Sequence, residues 1–240
     1  MKILSIECST ETASASITED RELIAVYTKN AGKKHSEILL PMIEEVLESC
    51  GYTVSDIDAF ACTVGPGSFT GIRIGAATVK GLAFSSNKKC VGISSLEALA
   101  YGFDRFYEGF IVSPVIDCRR GNVYNALFSL SKSNPPSRIC DDRMISVKQL
   151  ADVLAQNEKK VFLCGDGTAA FEKIISDDPD KYRNILLAPQ SLICPSAYTV
   201  ALCAYDRIIE GSAVSDTELN PVYLRPSQAE RELRGEKTEK

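Results

Sequence analysis

Hydrophobic positions along this chain follow two rhythms, and the switches between them mark the elements. ILSIEC (3–8) is a short apolar run with the look of a buried strand, and ASASI (13–17) and ELIAVY (22–27) follow across brief polar breaks. Three such runs so close together predict an antiparallel meander. From Lys33 to Gly51 the rhythm becomes helical: Ile38, Leu39, Met42, Ile43, Val46, Leu47 and Cys50 recur every three or four residues, with Glu37, Glu44, Glu45 and Glu48 on the remaining faces. The spacing predicts a helix over 36–50, closed by Gly51 and either bent at Pro41 or beginning near it. AFACTV (59–64) is apolar throughout, as parallel strands covered on both faces are. The turn GPGSFTG, a helix IRIGAATVKGLAF and a strand CVGI (90–93) come next. Ser94 with Glu97 three residues on is a capping-box signal for a helix over 95–102.

The second half opens on two strands, FIVSPVID (110–117) and VYNALFSL (123–130), joined by CRRGN. SNPPS (133–137) is a loop, Ser146 opens a helix through VKQLADVL, KVFLCGDG is a strand ending in a glycine turn, TAAFEKII a helix and NILLAP a strand. Pro195 precedes a helix SAYTVALCAYDRIIE that stops at Gly211, and after NPVYLR the charged stretch PSQAERELRGEKTEK has almost no apolar anchor and reads as a frayed tail. A meander followed by parallel βα units is the layout of one half of the actin-like, Hsp70-like and sugar-kinase-like superfold. The expected fold class is therefore α/β, a two-domain actin-like (ribonuclease H-like) architecture with mixed sheets flanked by helices. Residues 1–105 with 195–212 would form the first domain, 106–194 a second, smaller one, and 213–240 a C-terminal tail.

Composition narrows the function. A chain of 240 residues with 45% apolar and 25% charged residues is long enough and greasy enough for a real core. A net charge of −5 argues against a broad surface for holding nucleic acid. No apolar stretch approaches the roughly 20 residues that cross a bilayer, and MKILSIECST lacks the order of a signal peptide, so the expected place is the cytoplasm, with no membrane contact. Nine cysteines without a CxxC pair read as reduced, mostly buried thiols. The single histidine, His35, excludes every site that needs two imidazoles, and its own expected role is solvated or capping.

The most informative segment is the strand–turn–helix junction Val64 to Gly75. Pro66 and Gly67 suit the second and third positions of a type II turn, and Ser68 or Thr70 can cap the helix. Free N–H groups at such a junction can face an anion, which makes Gly65, Gly67, Ser68 and Thr70 candidate contacts for a phosphate, carboxylate or nucleotide. Tight packing with small residues is the commoner role of such a turn. Neither the dinucleotide GxGxxG nor a P-loop fits the spacing. Glu7 stands where an actin-like enzyme often keeps a metal-linked carboxylate, but its neighbours form no phosphate cradle, so a structural or vestigial role is expected. Arg119 and Arg120, in DCRRGNVY, sit at a bend that Gly121 and Asn122 suit, and their forks match carboxylate or phosphate. No catalytic residue and no metal ligand is assigned.

At GPGSFTGIRIGAATVKGLA, together with IECST, DCRRGNVY and PVYLR in the same order, the sequence resembles the TsaB (YeaZ) family over about residues 1–225. The resemblance implies an actin-like fold that has lost catalysis and serves as a scaffold or activating subunit. Its implied partners are TsaD and TsaE, in forming N6-threonylcarbamoyladenosine beside the anticodon of tRNAs that read ANN codons. Contact with tRNA would be indirect, and no cofactor is implied. A homodimer of the isolated chain and a nucleotide at the partner interface stay open. Carried over by position, the partner face would comprise Leu39, Met42, Ile43, Val46 and Leu47 on one helix and Arg73, Ile74, Ala77 and Val79 on the next. Glu7 replaces an aspartate frequent in the family and Cys118 an alanine. Two other classes compete: a nucleotide-binding kinase or ATPase of the actin-like fold, and a peptidase of the wider family, for which no nucleophile elbow is present.

Overall fold

The computed structural model describes residues 1–30, 32, 34–103, 108–132, 135–189 and 192–225. The meander forms as the pattern predicts: β1 (Lys2–Glu7), β2 (Thr12–Glu19) and β3 (Glu22–Asn30) pair antiparallel. After α1 (His35–Cys50), β4 (Ala59–Gly65) lies parallel to β1. Then α2 (Phe69–Ser86) leads to β5 (Lys89–Ser94), parallel to β4. The sheet order is β3-β2-β1-β4-β5. Through the short α3 (Ser95–Ala100) the chain enters a second sheet of β6 (Ile111–Asp117), β7 (Asn122–Ser129), β8 (Ser137–Ser146), β9 (Val161–Cys164) and β10 (Ile185–Leu187). Helices α4 (Val147–Ala155) and α5 (Ala169–Asp177) are its crossovers. Its order, read from the other edge, is β8-β7-β6-β9-β10, so the third, second, first, fourth and fifth strands of each half follow one another in the same way. This doubled unit of antiparallel meander and parallel βα pair is the actin-like two-domain architecture expected from the pattern.

Each sheet is sandwiched by helices. On one face of the first sheet, Leu4, Ile6, Ala13, Ala15 and Ile17 meet Leu39, Ile43 and Val46 of α1 and Ala76, Val79 and Ala83 of α2. On the other face, Ile3, Ala61, Val91 and Ile93 meet α6 (Ala197–Ile209) through Val200, Cys203 and Ala204. The second sheet buries Leu150, Leu154 and Phe171 of α4 and α5 on one side. Its other side takes Leu96, Leu99 and Ala100 of α3, so this six-residue helix packs into the core of the half that follows it. The helix ends obey local rules. Gly51 closes α1 in the left-handed conformation at φ 67, and the Ser68 and Ser94 side chains accept N–H bonds from Gly71 and Glu97. Glu97 does not complete a capping box; its carboxylate turns to Arg207 at 3.0 and 3.1 Å.

Several expectations need correction. The chain between Ser137 and Ser146, which the pattern leaves unassigned, is strand β8, an edge strand whose sequence SRICDDRMIS alternates too weakly to announce itself. Helix α1 does not begin at Pro41: it starts at His35 and runs through the proline. His35 is buried, its Nε2 lying 3.3 Å from the Thr12 carbonyl. Residues 213–225 are no tail. Val214 pairs with Cys90 in both directions, at 2.9 and 3.0 Å, and Leu219 is only 2% exposed in the first core. Val222 N–H bonds the Val64 carbonyl at 2.8 Å. This strap reaches the second half, where Leu224 packs and Arg225 Nη1 lies 3.4 Å from the Cys118 carbonyl. The chain turn assigned to a domain boundary at 105–106, Ser133 and Asn134 of the SNPPS loop, and the tail 226–240 lie outside the described residues.

Candidate functional site

The strand ends of the two halves converge. Behind β1, Ser9 bends back so that both its N–H and its hydroxyl donate to one oxygen of Glu7, each at 2.6 Å. Glu7 is fully buried, and its second oxygen has no hydrogen-bond partner. Burial pushes the Glu7 carboxyl up to about 7; the Ser9 and Thr63 hydroxyls and the Ser9 N–H oppose that rise, and the charge of Asp166 adds to it. Asp166, in the turn after β9, accepts from the Asp117 N–H at 2.9 Å. It too is raised, by burial first and then by the nearby Asp117 and Glu11 carboxylates. Glu7, Asp166, Asp117 and Glu11, drawn from the two halves, thus lie close enough to act on one another's charge. Negative potential there opposes a nucleotide's phosphates unless a cation intervenes, and among the described residues no group of three or more His, Cys, Asp and Glu is arranged to hold a metal ion.

The junction that could cradle an anion is occupied by the chain itself. The Gly65–Pro66 peptide is cis, and Gly67 at φ 155 lies far from the roughly +80° of a type II turn's third position, so the bend is not the type II turn expected. A Cβ on Gly67 or Gly71 would land on the carbonyl of Ser9 or Cys8, and one on Gly65 on the carbonyl of Val222. The glycines are there because two other backbones pass against them. Ser68 N–H is taken by the Ser9 carbonyl at 2.7 Å, and the Ser68 hydroxyl caps Gly71 at 3.2 Å; Ser68 and Thr70 are otherwise exposed. The bend DCRRGN winds through three consecutive left-handed residues, Arg119 (φ 67), Arg120 (φ 58) and Gly121 (φ 69). Only the third is a glycine, and the strain at two arginines is sustained by Arg119 N–H on the Asp117 carboxylate at 2.8 Å and Asn122 on the Arg120 carbonyl at 3.0 Å.

The helical stripe carried over as a partner face points inward. Leu39, Met42, Ile43, Val46 and Leu47 are buried on the first sheet, as is Val79 of α2, because the apolar stripe of a helix on a sheet is the face that covers the sheet. Of the nine residues, Arg73 and Ala77 are exposed and Ile74 is half-buried. What the outer surfaces of α1 and α2 show instead is Leu40, 53% exposed, and Phe84, 76% exposed. Both were legible as apolar residues that fall off the stripe. The outer face of α1 is otherwise acidic (Glu37, Glu44, Glu45, Glu48), whereas α2 carries Arg73 and Lys80 and no acid. At the start of α2 the Arg73 guanidinium lies 3.8 Å from the centre of the Phe69 ring, and its Nε donates to the Tyr223 hydroxyl at 2.7 Å. The Phe69 and Tyr223 rings are themselves 4.8 Å apart.

Comparison with known proteins places this architecture. Residues 14–224 match the family model TsaD, tRNA N6-adenosine threonylcarbamoyltransferase. The tRNA threonylcarbamoyladenosine biosynthesis protein TsaB of Bacillus subtilis is 30% identical over 74% of this chain and 76% of its own. That of Escherichia coli is 28% identical over 98% of this chain and 99% of its own. The structure of YeaZ from Pseudomonas aeruginosa superposes with a TM-score of 0.77 at 24% identity, covering 93% of this chain and 99% of that one, which speaks for the fold. On these matches the chain belongs to the TsaB (YeaZ) family of tRNA threonylcarbamoyladenosine biosynthesis proteins, inside the broader TsaD family.

Proposed function

We propose that this chain is a non-catalytic scaffold, an activating subunit that docks a TsaD-type subunit, with TsaE joining the assembly, for threonylcarbamoyladenosine formation on tRNAs that read ANN codons. The observation that carries the reading is that each of the neighbouring helices α1 and α2 shows a large apolar side chain to solvent, Leu40 and Phe84, beside charges of opposite sign on the two helices. Exposed large apolar side chains of this kind mark interaction surfaces when they gather on one face. The turns at the strand ends support the same reading: they spend N–H groups on the chain itself, and the acids beside them are unsuited to grip a bare polyphosphate. Either a TsaD-type subunit or a second copy of the chain would fill the face, the heteromer being the working form. Contact with tRNA would come through the assembly.

The docking test uses substitutions on the exposed face and leaves the buried stripe alone, since a charge at Ile43 or Val46 would damage the fold itself. With the cognate TsaD-type subunit, Leu40→Asp and Phe84→Asp are expected to abolish co-purification and to lower tRNA modification in a reconstituted reaction, with melting temperatures close to the parent. Undiminished co-purification of both variants would discard this face. Tight binding and turnover of ATP with magnesium by the isolated chain would favour the kinase or ATPase reading instead.

A further inference from the structure

The strap 213–225 ends against the start of α2, where Tyr223 meets Arg73 and Phe69. An exposed arginine normally gives up side-chain freedom when it is fixed by a partner. Here that freedom is already gone: the plane of the guanidinium rests on Phe69 and Nε is held by Tyr223. The outer Nη edge makes no ion pair among the described residues and is the part of the fork that matches a carboxylate in a two-bond pair. Charge selects the occupant. The four exposed glutamates of α1, the helix packed beside α2, repel a nucleic-acid backbone, whereas a protein partner with a related helix pair would lay an acidic helix against basic α2.

Resting on the docking reading above, we propose that Tyr223 is a positioning residue, and that the strap holds Arg73 ready for a carboxylate of the TsaD-type partner. The strap is thereby part of the docking face and not only a fastening of the first sheet.

Calorimetry of the full chain with the purified TsaD-type subunit tests this through a double-mutant cycle. Arg73→Ala is expected to weaken binding by about tenfold or more, as for a fork removed from a desolvated charge pair, and Tyr223→Phe by about threefold to tenfold. The double variant should bind no more weakly than Arg73→Ala alone, because the Tyr223 hydroxyl acts through Arg73. Arg73→Lys, which keeps the charge and loses the fork, should bind nearly as poorly as Arg73→Ala, and a melting temperature of Tyr223→Phe close to the parent guards against a folding defect. Losses that simply add, or an unchanged affinity in Arg73→Ala while the parent binds, would overturn the proposal and leave the docking reading standing. A parent protein that fails to bind the subunit at all would overturn both.

Discussion

Glu7 holds its proton to about pH 7 in the fold, while a solvated glutamate loses it near 4.5. The folded protein therefore binds more protons than the unfolded chain between those values, and stability falls as pH rises through that window. The contribution is full below pH 4.5 and lost above 7. Glu7→Gln keeps an oxygen for both Ser9 donors and carries no charge. It is expected to be more stable than the parent at pH 8 by up to about 3 kcal/mol and nearly equal to it at pH 4.5. Urea unfolding at both pH values measures this, and parallel stability curves would mean that Glu7 is ionised in the fold. At this scale the sequence told only part of the story. A carboxylate at the end of an apolar strand was plain, but the Ser9 bend that captures one oxygen and leaves the other alone depends on where β4 and β9 lie. The same holds for Arg73: its place on α2 could be read from spacing, its partner Tyr223 could not, being 150 residues away.

Helix α2 shows how differently two glycines can be used within one element. Gly71 faces the Cys8 carbonyl so closely that no Cβ fits, while nothing lies within 4 Å of a Cβ built on Gly81. Gly71→Ala should force β1 and α2 apart and cost about 2–4 kcal/mol, in the range of overpacked sites. Gly81→Ala should stabilise by about 0.5–1 kcal/mol, through helix propensity alone. Thermal melts of the two variants, expected to move in opposite directions, check the assignment. The elements themselves were largely legible, because a buried meander and a fully apolar parallel strand leave strong period-two and continuous patterns. Strand β8 was not, since an edge strand with Arg138, Asp141, Asp142 and Arg143 has little need of an apolar face. The α1 stripe misled for the opposite reason. Its periodicity was real, but periodicity locates the face turned to the core, and only off-stripe residues such as Leu40 report on the outside.

Across the whole molecule, the two halves are tied by charge as well as by packing. Glu97 of α3 is 12% exposed and joins Arg207 of α6 at 3.0 Å and Arg138 of β8 at 3.6 Å. Arg138 also bonds Asp142 at 2.5 Å, and Asp142 accepts from the Ser94 hydroxyl at 2.6 Å. Nearness to Glu97 raises the Arg207 pKa further above its already high value. Glu97→Ala leaves Arg207 without its carboxylate at a sheltered site and Arg138 with Asp142 alone, and a loss of about 1–3 kcal/mol is expected. Hydrogen exchange should speed up in β8 and α6 together; an effect confined to α3 would mean that the network does not couple the halves. The doubled strand order was visible only as a loose likeness between the two halves, because with β8 unread the second meander lacked its third strand.

The strap has a consequence for how the protein is made. Strand β5 is paired on its outer side by Val214, 124 residues downstream, and the opposite face of the same sheet is roofed by α6. While the ribosome is still producing the second half, the first half has all five strands yet bares Ile3, Ala61, Val91 and Ile93 and an open edge. Synthesis thus puts the completion of the earliest sheet after the whole second one, and the nascent first half must wait, sticky and unroofed, until α6 and Val214 have emerged.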